Sequence, residues 1–190
     1  MALSTKEKRK PHLVLGVTGS IAAYKAAELV RLFIRKGWEV SVVMTSCATE
    51  FVTPLTFQTL SRNAVGTGLF DEKDGWHPDH ISYADRADLL VIAPCTANVM
   101  AKLAHGLADD LLTCTVLATR APVVVAPAMN DNMWANDATR ANVALLKSRG
   151  VTFVEVGSGD LACGREGAGR LADLEEIVKV SEAVLCKKNH

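Results

Sequence analysis

Residues Pro127-Ala128-Met129-Asn130-Asp131-Asn132-Met133-Trp134 put an amide, a carboxylate and two exposable apolar side chains directly after a continuous apolar run, Val123 to Ala126. A run of that kind makes a parallel strand buried on both faces, and open α/β sheets bind ligands at the carboxyl ends of such strands. Taken alone, the junction also reads as a strand stop at Pro127 followed by a helix N-cap at Asn130. It does not stand alone, because other strand ends carry comparable clusters.

The first of these is Gly16-Val17-Thr18-Gly19-Ser20, a turn that opens directly into a helix. Free backbone N–H groups and the positive end of a helix make an anion site, and a small hydroxyl residue adds a donor. The turn lacks the third glycine of a dinucleotide fingerprint, and Thr45-Ser46 stands where an NAD-binding chain carries an acid. Adjacent strand ends rich in hydroxyls favour a phosphorylated mononucleotide over NAD. The competing structural reading is a tight turn with Ser20 as N-cap. A further cluster, Pro94-Cys95-Thr96-Ala97-Asn98, ends the apolar run Ala87–Ala93, with Thr96 also a candidate helix cap. Together these clusters outline a crevice along one edge of a sheet.

Two more residues have chemistry to offer. His80, in Pro78-Asp79-His80-Ile81, precedes a short helical stretch; a lone histidine is more often a surface residue than a functional one. Cys163 lies in the segment from Gly157 to Arg170, whose five glycines suggest a mobile flap. On a closing loop a thiol can deliver a proton to a bound intermediate, and the alternative is an inert loop cysteine.

Elements that would position these residues alternate along the chain. Strands are expected at His12–Val17, Glu39–Met44, Ala87–Ala93, Pro122–Ala126 and Val151–Val156. Helices are expected at Ile21–Lys36, from after Met44 through Ser61, at Ala97–Ala104, Asp109–Thr119, Asp137–Arg149 and Leu174–Leu185, with Gly37 as a C′ glycine. Repeated βα units imply an α/β fold, a Rossmann-like or flavodoxin-like three-layer sandwich with a central parallel sheet. Residues 1–11 read as a basic tail carrying Lys6, Lys8, Arg9 and Lys10, and 12–190 as a single domain with its flap at about 157–170.

Bulk composition narrows the classes. With 21 basic and 21 acidic side chains the net charge is zero, which argues against a nucleic-acid grip. The longest apolar stretches are interrupted by Asp109, Asp110 and Arg120, so no membrane span is expected. Five scattered cysteines without a CxxC pair point to a reducing, cytoplasmic location and to no metal site.

Four motifs occur in order: Gly-Val-Thr-Gly-Ser-Ile-Ala-Ala from Gly16, His80-Ile81 before Ala-Asp-Leu-Leu-Val-Ile-Ala-Pro, Pro127-Ala-Met-Asn-x-x-Met-Trp, and Leu161-Ala-Cys-Gly-x-x-Gly-x-Gly. With these the chain resembles the homo-oligomeric flavin-containing cysteine decarboxylases over about His12 to Leu185. The similarity is greatest to members acting on 4′-phosphopantothenoylcysteine in coenzyme A biosynthesis. The resemblance implies FMN at the strand ends, held by Gly19, Ser20, Ile21, Thr45, Ser46, Thr96, Ala97, Asn98 and Ala128. It implies catalytic roles for His80, Asn130 and Cys163, and substrate contacts for Asn130, Met133 and Ala162. Oxidation of the substrate cysteine would create a thiocarbonyl carbon β to the carboxylate, carbon dioxide would leave, and the enethiolate would be protonated and reduced. His80 would assist deprotonation or orientation, Asn130 would hold the carboxylate, and Cys163 would supply the proton. Implied partners are further copies of the chain, as a trimer or a dodecamer of trimers, and a fused or separate phosphopantothenate-cysteine ligase.

The chain departs from that pattern at Val99, where relatives carry a hydroxyl, at Asp110, where asparagine is common, and at Asp160, where eukaryotic members often carry a base. The last leaves open which group meets the substrate phosphate. Rival readings are an oxidative peptidyl-cysteine decarboxylase that stops at the enethiol, against which Cys163 speaks, and a flavin-binding regulatory subunit. The second class usually carries a long acidic tail, whereas this chain ends Lys187-Lys188-Asn189-His190.

Overall fold

The computed structural model describes residues 9–70, 79–160, 164 and 166–188. Cys163, Ala162 and the first eight residues of the basic tail lie outside them. Strand β1 (His12–Val17) leads into helix α1 (Ala23–Arg35), β2 (Glu39–Met44), α2 (Ser46–Thr49), α3 (Pro54–Ser61) and β3 (Val65–Gly66). The second half runs α4 (Asp79–Arg86), β4 (Leu89–Cys95), α5 (Ala97–His105), α6 (Leu111–Ala118), β5 (Val123–Pro127), α7 (Asp131–Ala135), α8 (Asp137–Ser148) and β6 (Thr152–Phe153). A hairpin, β7 (Gly157–Asp160) and β8 (Glu166–Arg170), and the closing helix α9 (Leu174–Lys188) follow.

The six-stranded sheet has order β3-β2-β1-β4-β5-β6 and every pairing is parallel. All residues of β1 and β4 are buried, which is why residues 13–17 and 89–95 are continuous apolar runs rather than alternating ones. Successive side chains still alternate between two cores. Leu13, Leu15 and Val17 pack with Leu29 and Phe33 of α1 and Ile177 of α9, while Val14 joins Leu90, Ile92, Met100, Leu112 and Leu146 on the other face. Phe33 also stacks on Trp38 with ring centroids 5.2 Å apart, just past Gly37, which ends α1 at φ +83°.

The architecture is the expected α/β sandwich, with local differences. α1 begins at Ala23 because Ser20 is spent in a turn: the Ala23 N–H donates to the Ser20 carbonyl oxygen at 2.8 Å, and Ala22 rather than Ser20 is the N-cap. Pro54, at the start of α3, interrupts the expected helix after Met44. β6 shrinks to two residues, paired with Val124 and Val125 at the sheet edge. The expected loop from Gly157 is a two-stranded antiparallel hairpin.

Candidate functional site

The sheet reverses its winding between β1 and β4, and that switch point is where an α/β sheet leaves a crevice. Its two sides are tied by Thr18, which is fully buried. The Thr18 hydroxyl donates to the Pro94 carbonyl oxygen at 2.8 Å and accepts the Thr96 N–H at 3.0 Å. Pro94, which has no N–H to give a ladder, sits inside a central strand only because the β4–β5 register shifts between Ile92 and Cys95.

A cavity of about 650 Å³ opens over these strand ends. Gly19, Ser20 and Ile21 reach it from the β1–α1 turn, Thr45 and Ser46 from the end of β2, and Thr96, Ala97 and Asn98 from the start of α5. Ala128, Asn130 and Met133 reach it from the segment after β5. Gly19 has no room for a side chain, since a Cβ there would stand 2.4 Å from Cys47 Cβ and 3.0 Å from the Cys47 carbonyl oxygen. Thr96 caps α5 by accepting the Val99 N–H, and Asn130 caps α7 by accepting the Asn132 N–H at 2.9 Å. The structural and ligand-facing readings of these two residues therefore coexist, and the Asn130 cap sets the rotation of its amide. Thr45 is 7% exposed, and its hydroxyl has no hydrogen-bond partner among the described residues. A buried hydroxyl on a cavity wall needs a partner there. Trp134, partly buried, packs against the core instead, with Arg140 lying 5.0 Å over its ring.

Several lining residues carried no motif signal: Tyr24 and Lys25 on α1, Lys102 on α5, Arg170 at the end of β8 and Leu171 just after it. Tyr24 stands four residues beyond Ser20, a spacing that could have singled it out. Lys102 Nζ lies 2.7 and 3.0 Å from the Asp109 carboxylate and 3.4 Å from Asp110. The hydrogen bond to Asp109 is the main reason its pKa is raised. Asp110 also accepts the Thr113 N–H at 2.8 Å, completing a capping box at the head of α6.

The hairpin is seated on the Asn130 segment. The Met129 N–H donates to the Gly169 carbonyl oxygen at 2.9 Å. A Cβ on Gly169 would fall 2.5 Å from the Met129 carbonyl oxygen, and one on Gly167 would fall 2.9 Å from Asp131 Cβ. His80 is not brought to this cavity; it lies partly buried in the first turn of α4. Cys163 and Ala162 lie outside the described residues. Cys95 adjoins the site but is sealed away, and burial pushes its thiol up to about 12. Among the described residues no group of three His, Cys, Asp or Glu side chains is placed to hold a metal, and no helix is long and apolar enough to cross a membrane.

The model of the family described as Flavoprotein matches residues 1–185. The coenzyme A biosynthesis bifunctional protein CoaBC of Bacillus subtilis is 48% identical over 171 residues, which are 90% of this chain and 42% of that protein. The chain thus spans less than half the length of that relative. A protein of Streptococcus mutans named probable phosphopantothenoylcysteine decarboxylase is 45% identical over 175 residues, 91% of this chain and 98% of its own length. Among solved structures, the FMN binding protein AtHal3 superposes with a TM-score of 0.82 at 34% identity, covering 96% of this chain and all of that one. With its matched core, its sheet order and the cavity at its switch point, this chain belongs to the flavoprotein family.

Proposed function

We propose that this chain is an FMN-dependent carboxy-lyase that converts 4′-phosphopantothenoylcysteine to 4′-phosphopantetheine in coenzyme A biosynthesis. The observation that carries the reading is the junction of two parts in one cavity: the hydroxyl-rich strand ends and the Asn130 segment with its seated hairpin. The orphaned Thr45 hydroxyl supports the fit of a flavin mononucleotide, since Thr45, Ser20, Ser46, Thr96 and Asn98 offer many small polar groups. When bound, FMN supplies reversible two-electron oxidation of the substrate's cysteine.

The chain's own residues then position and protonate. Asn130 would hold the carboxylate through a neutral amide, which orients the group without stabilising its charge as a cation would. Met133, 49% exposed on α7, would pack the apolar part of the substrate. Cys163 would protonate the enethiolate, and His80 would orient or deprotonate the substrate cysteine. Because His80 lies outside its own chain's cavity, the reading takes it from a neighbouring copy in a trimer. Exposed Phe70 (93%), Ile81 (41%) and Tyr24 (60%) support such an assembly. A phosphopantothenate-cysteine ligase, fused to this chain or separate, would supply the substrate. Cys47, Cys95, Cys114 and Cys186 are free thiols, in keeping with a cytoplasmic setting.

The test is mass spectrometry of 4′-phosphopantothenoylcysteine after incubation with the FMN-loaded protein. Loss of carbon dioxide alone is expected. Loss of carbon dioxide plus two hydrogens would make the chain an oxidative decarboxylase, and no change would refute the reading.

A further inference from the structure

Three cations border the cavity: Lys25, Lys102 and Arg170. Lys102 is already held by two carboxylates, Asp109 and Asp110. Lys25 follows the Gly19–Ile21 turn closely on α1, on the cofactor side. Arg170 forms no ion pair among the described residues, and it comes from the opposite wall, the hairpin.

Its placement there is built into the strand pairing. Gly157 pairs with Arg170 but Ser158 pairs with Ala168, so Gly169, at φ +133°, is an extra residue in β8. Such a bulge reverses the alternation of side chains. Arg170 therefore shares a face with Gly159 and Gly167 instead of facing away from them, and this is the face that meets Asp131. Gly159 leaves room for the guanidinium, since a Cβ there would stand 3.4 Å from Arg170 Nη1.

The chemistry of the cavity decides what this cation serves, given the function proposed above. Three anionic groups must be accommodated: the cofactor phosphate, the substrate carboxylate and the substrate phosphate. The hydroxyl cluster at the strand ends suits the first. A cation on the carboxylate would hold charge there and oppose loss of carbon dioxide, which a neutral amide does not. The substrate phosphate keeps its charge throughout, and a guanidinium fork matches it in a bidentate way. We propose that Arg170, which borders the cavity and whose face is set by the Gly169 bulge, is the residue that selects a phosphorylated pantothenoyl substrate by binding its phosphate. This rests on the decarboxylase reading and assigns the phosphate contact that Asp160 leaves without a base.

The experiment compares kcat/KM for 4′-phosphopantothenoylcysteine and for pantothenoylcysteine in the FMN-loaded wild type, R170Q, R170K and K25Q. Flavin absorbance and thermal midpoints confirm that each variant is folded. Loss of a charge-assisted pair is expected to lower the phospho-to-dephospho ratio roughly 10- to 100-fold in R170Q. R170K, which keeps the charge but not the fork, should fall between, and serves alone if R170Q does not fold. An equal loss on both substrates in R170Q, or loss of discrimination in K25Q instead, overturns the assignment while leaving the decarboxylase reading intact. A wild type that carries flavin and turns over neither substrate overturns both.

Discussion

Thr18 and Thr96 are joined across the reversal of the sheet: the Thr96 backbone N–H donates to the Thr18 hydroxyl at 3.0 Å. The same hydroxyl donates to Pro94, so one buried oxygen sets the spacing between the β1 turn and the start of α5. Those are two of the walls assigned to the cofactor. T18V would bury a carbonyl and an N–H without their partner, at about 1–3 kcal/mol. We expect a lower urea midpoint together with faster loss of FMN on gel filtration, and T18S should restore both. Unchanged midpoint and retention in T18V would mean that the strand ends hold their spacing without it.

Thr45 should behave in the opposite way. Among the described residues its hydroxyl is buried without a partner, so removing it relieves a cost in the flavin-free protein. T45V is therefore expected to match or exceed the wild type in thermal stability when flavin-free. Its FMN affinity should fall roughly 5- to 10-fold, the worth of one hydrogen bond. Fluorescence titration with FMN and thermal melts of the flavin-free protein separate the two effects. A destabilised variant with wild-type affinity would make Thr45 structural.

Gly169 ties the hairpin to Met129. With φ +133° and a Cβ position 2.5 Å from the Met129 carbonyl oxygen, G169A must both strain the backbone and push the strand off its seat. About 1–3 kcal/mol of local stability should be lost, seen as faster proteolysis between β7 and β8 and slower turnover. G37A is the comparison: its φ is +83°, but no described residue lies within 4 Å of its Cβ position. It should lower global stability and leave the hairpin's protease resistance intact.

Far from the cavity, His12 begins β1 with Nε2 3.0 Å from the Ser41 hydroxyl and Nδ1 3.6 Å from Glu39. Burial lowers its pKa below the ordinary 6.5, partly opposed by Glu39 and Asp88 and reinforced by Arg86 and Arg9. Between 6.5 and the lower folded value the unfolded chain binds more protons. Stability from this residue is thus complete above 6.5 and declines as pH falls through that window. Denaturant titrations from about pH 7.5 to about pH 5.5 should show a shallower decline for H12Q than for the wild type. Parallel curves would remove His12 as the source.

The sandwich and the strand-end clusters were legible because buried parallel strands are continuous apolar runs, and whatever polar residue follows one stands at its carboxyl end. Gly19, Thr45, Thr96 and Asn130 needed nothing more to be found. The hairpin was not legible, since β7 and β8 are built of glycine and polar residues without apolar alternation, and the packing of Gly167 and Gly169 on Asp131 and Met129 is what shapes them. Arg170 was hidden for a related reason, because strict alternation puts it on the same face as Ala168, away from Gly167, and only the bulge turns it over. Lys102 reaches the cavity through helix geometry that no local motif marks.

His80 offers the sharpest check on how complete one chain's site is. It sits on α4, apart from the cavity that holds Asn130. If neighbouring copies share sites, H80N and N130D fail for different reasons that one mixed assembly can repair. N130D keeps a good cap for α7 while setting a negative charge against the substrate carboxylate. Each variant alone should bind FMN and turn over little or no substrate. After co-refolding in equal amounts, sites that combine an intact Asn130 with a neighbour's intact His80 should restore roughly a quarter of wild-type turnover, as random mixing around a ring requires. Recovery absent from mixed trimers of confirmed composition would place His80 either in its own chain's reaction or outside it altogether, and near-normal turnover of H80N alone would select the latter.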